Sequence, residues 1–220
     1  MSGGLDSATV LYIARKKGFQ CYCLIFDYGQ RHKREIASAK KIARRAGAKF
    51  LIVKISLPWG GSSLLDRNAQ VPLAAARSGG SIPPTYVPAR NIIFLSSALS
   101  YAEAIKAKSI FIGAHAQDYS GYPDCRPQFI HAFGKAANKG TKAGLEKHRI
   151  KIEAPLLAKN KAQIIREGVR LGVPYELTWS CYKGLSLPCG RCDSCFYRQK
   201  GFKEAGISDP QLHNYNRRKK

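Results

Sequence analysis

The residues best placed to do chemistry stand at the start of the chain: Ser2-Gly3-Gly4-Leu5-Asp6-Ser7. Two adjacent glycines remove Cβ atoms and allow positive φ, so successive backbone N–H groups can converge on one anion. A helix beginning near Ser7 adds unpaired N–H groups and the positive end of its dipole. The Ser2 and Ser7 hydroxyls are further donors. Asp6 is the odd member, because a carboxylate repels phosphate unless a cation such as Mg²⁺ sits between them. The competing reading is a plain glycine turn in which Asp6 or Ser7 caps the helix. The spacing is not that of a Walker A loop, which needs Gly-x4-Gly-Lys-Ser/Thr.

A second constellation lies near the other end. Cys181, Cys189, Cys192 and Cys195 crowd into one short, loop-rich segment, with Gly190 allowing a tight turn between them. Four thiolates at such spacing suit a tetrahedral Zn²⁺, and four protein ligands leave no open position for chemistry. The expected role is structural, since metal binding fixes a segment with little core of its own. An iron–sulfur cluster is the main competitor, and unligated core cysteines or a redox pair the plainer alternative.

The third is Asp118-Tyr119-Ser120-Gly121-Tyr122-Pro123-Asp124-Cys125-Arg126-Pro127. Its two carboxylates, two phenols, hydroxyl and guanidinium suit a polar aromatic ring. Tyr faces stack, Asp accepts from ring N–H groups and Arg forks onto a carboxylate. A surface turn with an ordinary Asp124–Arg126 pair is the alternative. Arg90, before a helix at Asn91, and Lys161, opening another, could each neutralise a phosphate; taken alone, each is more often a solvated cation. Asp27 to His32 follows a strand and suits either an adenine or ribose contact or a plain βα loop. His32 and His115 have no carboxylate or Ser at motif spacing, and neither is assigned as a base.

Elements must hold these groups in place. Helices are expected over 7–17, 33–46, 91–105, 129–137 and 161–171, and strands over 20–26, 49–55, 109–113 and 150–154. Strands alternating with helices imply an α/β fold with a parallel sheet covered on both faces, and ligands at the carboxyl ends of its strands. The segment 56–88 is rich in Gly, Pro and Ser and too long for a simple connection, which suggests a functional loop or lid. Periodicity fades over the last 40 residues. The expected division is an α/β domain over 1–175, a zinc-binding segment over 176–210 and a disordered basic tail over 211–220.

Composition narrows the class. The 220 residues carry 37 Lys and Arg against 14 Asp and Glu, a formal net charge of +23, which attracts nucleotides, acidic metabolites or RNA. The charge is diffuse, with no aromatic-basic module, so a solvated surface explains it as well as RNA does and no stable nucleic-acid complex is expected. No apolar run reaches about 18 residues, which argues against a membrane span. With no leader ahead of the loop, and seven cysteines that do not form a disulfide framework, a cytoplasmic protein is expected.

Ser-Gly-Gly-x-Asp-Ser resembles the PP-loop of the N-type ATP pyrophosphatases, which grip the pyrophosphate of ATP on a Rossmann-like sheet of the adenine nucleotide α-hydrolase type. Further segments narrow the likeness: Phe-Asp-Tyr-Gly-Gln-Arg-His at 26–32, Tyr-Val-Pro-Ala-Arg-Asn at 86–91, the 118–127 block, Thr-Trp-Ser-Cys-Tyr at 178–182 and Cys-Gly-Arg-Cys-Asp-Ser-Cys at 189–195. In that order they resemble the 7-cyano-7-deazaguanine synthase (QueC) family across nearly the whole chain. The resemblance implies a ligase that takes 7-carboxy-7-deazaguanine, ATP with Mg²⁺, and ammonia. The carboxylate is adenylated, ammonia displaces AMP, and the amide is dehydrated to the nitrile preQ0, a precursor of queuosine or archaeosine in tRNA. It implies ATP at Ser2, Gly3, Gly4, Leu5, Asp6 and Ser7, with Asp6, Arg90 and Lys161 serving catalysis. It implies substrate at Asp118, Tyr119, Ser120, Tyr122, Asp124 and Arg126, structural zinc at the four cysteines, and a homodimer.

Three departures stand out. Position 89 is Ala where the family often has Gly, and Gly-Ala-His-Ala-Gln at 113–117 replaces the more usual Gly-Val-Asn-Ala. Only Met1 precedes the loop, whereas such a loop follows a buried central strand. A natural start about 5–10 residues earlier, in a Val/Ile/Leu-rich run, is therefore expected. Two other functions compete: a PP-loop enzyme that adenylates tRNA itself, of thiolase or lysidine synthetase type, and a zinc-ribbon RNA-binding module without catalysis.

Overall fold

The computed structural model describes residues 1–31, 33–66, 68–73, 82–118 and 121–211. Tyr119, Ser120 and tail residues 212–220 lie outside this set. Helices and strands alternate as α1 (Leu5–Lys16), β1 (Tyr22–Asp27), α2 (Arg34–Arg45), β2 (Lys49–Lys54), α3 (Arg90–Ala104), β3 (Ser109–Phe111), α4 (Pro127–Lys139), α5 (Lys142–Leu145), β4 (Lys151–Glu153), α6 (Lys161–Arg170) and α7 (Asp193–Ala205). Among the described residues no helix is long and apolar enough to cross a membrane.

Each helix follows from local chemistry. In α2, Ile36, Ala39, Ile42 and Ala43 recur at helical spacing and are buried against β1 and β2. A reciprocal capping box opens α6: Asn160 Oδ1 accepts from the Gln163 N–H, and Gln163 Oε1 from the Asn160 N–H. The sequence did not foretell α7. Its apolar stripe is weak, because its buried face carries Asp193, Cys195, Arg198 and Gly201 as well as Phe202. It packs on α6, and Phe202 joins the main core with Leu5, Val10, Ile42, Leu156, Ile164, Ile165 and Tyr175.

The parallel alternation holds, and among the described residues the strands form two parallel pairs. Tyr22 to Asp27 of β1 register with Lys49 to Lys54 of β2, and Ser109 to Phe111 of β3 with Lys151 to Glu153 of β4. Between the pairs lies a cavity of about 460 Å³, lined by Tyr22–Phe26 of β1, Ser109–Phe111 of β3, the opening loop and the start of α3. The Met1 amine donates to Leu24 O across 2.6 Å, so the chain enters its loop alongside β1. The long segment after β2 forms no helix or ladder strand among its described residues. It touches the cysteine region through one antiparallel bridge, Leu73 with Cys192.

Candidate active site and metal centre

The opening loop is closed by its own hydroxyls. Ser7 Oγ donates to Gly4 O at 3.1 Å, Ser2 Oγ lies 3.0 Å from Ser7 Oγ, and the Gly4 N–H reaches Ser2 Oγ at 3.3 Å. Helix α1 starts at Leu5, two residues earlier than the sequence suggests, so the free N–H groups of its first turn belong to the loop itself. Gly3 has φ +79, and a Cβ there would sit 2.4 Å from Glu35 O, so the loop rides on the first turn of α2 as only glycine allows. On its other side the Trp179 N–H donates to Gly3 O at 2.9 Å. Loop residues Ser2, Gly4, Leu5, Asp6 and Ser7 line the cavity, as do Arg90 and Asp118.

Asp6 is already paired. Its Oδ1 accepts from Lys161 Nζ at 2.7 Å, and Lys161 is buried although it opens a helix. Gly201 of α7 makes that path possible, because a Cβ there would fall 2.3 Å from Lys161 Cγ. Burial alone would raise the Asp6 carboxyl, but Lys161 and His115 outweigh it and hold it below the usual range.

His115, left unassigned from sequence, lies at the centre of this group. Its Nε2 is 2.9 Å from Lys161 Nζ, 3.4 Å from Asp118 Oδ2 and 3.8 Å from Asp6 Oδ2. Two carboxylates, one from each of the first and third motifs, thus flank one imidazole nitrogen. Burial, then the charge of Asp6, pushes the Asp118 carboxyl up. The departure Gly-Ala-His-Ala-Gln was the one sequence signal of this role.

Arg90 begins α3 behind Ala89, whose φ of +53 is left-handed. The Ala-for-Gly difference at 89 therefore matters locally, because this backbone disfavours a Cβ. Arg90 bonds Tyr28 and faces Tyr182 and Tyr122; burial would lower its pKa, but these phenols outweigh it and raise it. The 118–127 block is only partly gathered at the cavity. Asp124 is buried: its Oδ2 accepts from the Asn91 N–H at 2.9 Å, and its Oδ1 has no partner among the described residues. Tyr122 Oη lies 2.9 Å from Thr85 Oγ1, and Arg126 is exposed at the N-cap of α4.

The cysteine cluster is separate from the loop. The four Sγ atoms all lie within 4.8 Å of one another, and those of Cys189 and Cys195 are 3.9 Å apart. A tetrahedral ion with ligand bonds of about 2.3 Å separates its sulfurs by about 3.8 Å, so the donor set fits one metal ion. Backbone N–H groups of Lys183 and Cys189 point at Cys181 Sγ, and those of Arg191 and Cys192 at Cys189 Sγ, at 3.2–3.4 Å. Such bonds orient thiolates and spread their charge. The three cysteines outside the cluster are unlike these. Burial pushes the thiols of Cys21, Cys23 and Cys125 up, so none is primed as a nucleophile.

The chain is similar to known proteins over most of its length. A family model described as queuosine biosynthesis protein QueC matches residues 1–206. A 7-cyano-7-deazaguanine synthase from Anaeromyxobacter dehalogenans is 54% identical over 215 residues, covering 96% of this chain and 92% of that protein. One from Coxiella burnetii is 54% identical over 214 residues, covering 96% and 94%. Among solved structures, an NMN synthetase from Francisella tularensis aligns with a TM-score of 0.50 over 98% of this chain and 82% of its own, at 17% identity. That likeness concerns the fold alone.

Proposed function

The chain belongs to the queuosine biosynthesis QueC family, and we propose that it converts 7-carboxy-7-deazaguanine and ammonia to 7-cyano-7-deazaguanine at the expense of ATP, in the cytoplasm. The observation that carries this reading is the meeting of two motifs at His115, Asp6 from the opening loop and Asp118 from the polar-aromatic loop, in a chain that the family matches over residues 1–206.

The residues supply what the reaction needs. A carboxylate is a poor electrophile, because its leaving group would be hydroxide. Adenylation by ATP, with release of pyrophosphate, gives it AMP as leaving group, and ammonia displaces AMP to yield the amide. A second ATP adenylates the amide oxygen, again releasing pyrophosphate, and that oxygen leaves with AMP as the two amide protons are lost. The N–H groups of the first turn of α1, with the Ser2 and Ser7 hydroxyls, bind the phosphates. Arg90 faces the same cavity and adds charge, and Lys161 holds Asp6 in place. Mg²⁺, when bound with ATP, neutralises phosphate charge, and Asp6 is the loop carboxylate that would hold it. The buried Asp124 Oδ1, without a partner among the described residues, can accept from a ring N–H of the deazaguanine; Asp118, Tyr122 and Arg126 are further candidate contacts, and Tyr119 and Ser120 are proposed from the family resemblance alone. The four cysteines would hold structural Zn²⁺.

The tRNA-thiolating alternative needs a nucleophilic thiol, and the raised thiols outside the cluster speak against it. Incubation with ATP, ammonia and 7-carboxy-7-deazaguanine should give the nitrile and AMP by mass spectrometry. AMP release that depends on tRNA, with no nitrile formed, would reject the reading.

A further inference from the structure

The most buried cation among the described residues is neither in the cavity nor in the cysteine cluster. Arg198 of α7 has a side chain only 1% exposed, and it bonds Asp209 twice, Nε to Oδ2 and Nη2 to Oδ1, both at 2.8 Å. Its remaining donors turn to one short stretch of chain: Nη1 reaches Thr178 Oγ1 at 2.6 Å and Nη2 reaches Tyr175 O at 3.1 Å. Thr178 Oγ1 donates in turn to Tyr175 O, and Gln211 Nε2 donates to Thr178 O and Glu176 O. The turn 175–178 is thereby held from one side by the Arg198 guanidinium and the Gln211 amide, both of which Asp209 ties together, since its Oδ1 also accepts from the Gln211 N–H at 2.9 Å.

What this turn carries is the next residue. The Trp179 N–H donates to Gly3 O, and Arg34 lies 5.1 Å above the Trp179 ring. Gly3 is pressed on its other face against Glu35 O, so the loop is wedged between α2 and Trp179. A sideways shift of Trp179 would move Gly3 O, and with it the N–H groups that follow in Gly4 and Leu5.

A buried ion pair is by itself weak support for stability, because desolvation offsets much of the attraction; apolar residues of similar volume often do as well. A fork with two bonds to one carboxylate and two to the turn serves geometry instead. We propose that Arg198 is a positioning residue for the opening loop: through Thr178 and Trp179 it sets the place of Gly3 and so the affinity for ATP. Helix α7 also carries Cys195, so the cysteine cluster and the loop are joined by one contiguous set of contacts running through Arg198.

The inference rests on ATP as the ligand of the loop, and the test separates the two. Two single variants of the full chain are compared with wild type at 20 °C. Thr178→Val removes the hydroxyl but leaves the Arg198–Asp209 pair, and Arg198→Lys keeps the charge but loses the fork. ATP affinity is read by calorimetry, and metal content and melting temperature are measured beside it. In a Trp59→Phe background Trp179 is the only tryptophan, so its fluorescence reports the wedge directly. Both variants should bind ATP about tenfold more weakly, with altered Trp179 emission, unchanged metal content and an unchanged KM for the second substrate. Wild-type ATP affinity in both, with only a lower melting temperature, would make Arg198 a purely structural group and overturn the proposal. If Arg198→Lys does not fold, Thr178→Val decides alone. Failure of wild type itself to bind ATP would instead overturn the functional reading beneath it.

Discussion

The cysteine cluster and the opening loop are both places where negative groups gather, and they solve the problem in opposite ways. At the cluster four thiols lie within 4.8 Å of one another, and backbone N–H groups point at two of them. In the loop the one carboxylate, Asp6, already has Lys161 at 2.7 Å and His115 at 3.8 Å. The cluster is therefore a closed donor set that an added ion could complete. The loop is balanced without its ligand and keeps its face to the cavity open. A structural site can let its ligand complete the fold, whereas a site that must bind and release has to be assembled beforehand.

The sharpest way to break this contrast is to remove one thiolate. Cys192→Ser should lower metal content and melting temperature together, the latter by about 10 °C or more, because binding energy is folding energy at such a site. Elemental analysis of wild type should find one Zn²⁺ per chain. Full metal and an unchanged melt in the variant would mean that the ligand set is wrong.

At the loop the same kind of substitution should spare the fold and cost chemistry. Asp6→Asn is expected to lower kcat/KM for ATP about 100-fold or more. Asp124→Asn keeps an oxygen to accept from the Asn91 N–H, so α3 stays capped, but it can replace the unpartnered acceptor with a donor. Nitrile formation should fall as far, with ATP affinity within about twofold of wild type. Equal loss of ATP binding in both would show that the loop and the polar-aromatic segment are one site rather than two halves.

How legible each region was follows from how its information is stored. The cluster is local: all four ligands fall within fifteen residues, 181–195, so spacing announced it. The loop's anion-binding part is local too. Its supports are not. Lys161 reaches Asp6 from 155 positions away and His115 joins Lys161 from 46, so neither looked different from a solvated cation or an idle histidine. Helix α7 was illegible for a related reason. Its inward face carries an arginine, an aspartate, a cysteine and a glycine, whose partners on Asp209, Thr178 and Lys161 are visible only in three dimensions. The two-pair arrangement of strands was likewise beyond periodicity, which marks strands but not their neighbours.

One group feels both regions. Glu35 lines the cavity, and burial pushes its carboxyl from 4.5 up to about 7, against the pull of Arg90 and with a smaller push from Cys181 of the cluster. Tyr28 and Tyr182 also lie within its field. A folded-state pKa above the unfolded value means that the fold holds the proton more tightly. That stability is fully present below about 4.5 and lost as pH rises through about 7. Glu35→Gln, neutral throughout, should not show the loss. The difference in melting temperature between variant and wild type should therefore grow between pH 5 and 7 by about 3 °C and stay flat above it. A parallel pair of curves would mean that the Glu35 charge is solvated and couples neither region.

The smallest expected effect lies at the step from loop to helix before Arg90. Ala89 stands at φ +53 and ψ 22, where an L side chain crowds the following carbonyl, at a cost of about 1–2 kcal/mol that glycine escapes. Against this, glycine gives the unfolded chain more freedom, worth about 0.4–1 kcal/mol. The backbone contacts are the same for both residues: the Ala89 N–H donates to Tyr86 Oη at 3.1 Å, and Ala89 O accepts from the Ile93 N–H at 3.0 Å. The balance favours glycine slightly, so Ala89→Gly should raise the melting temperature by no more than about 3 °C. Arg90 should keep its place over the cavity, leaving KM for ATP unchanged. A fall in melting temperature would show that Ala89 is not strained in solution, and that the start of α3 takes a right-handed path the present geometry does not have.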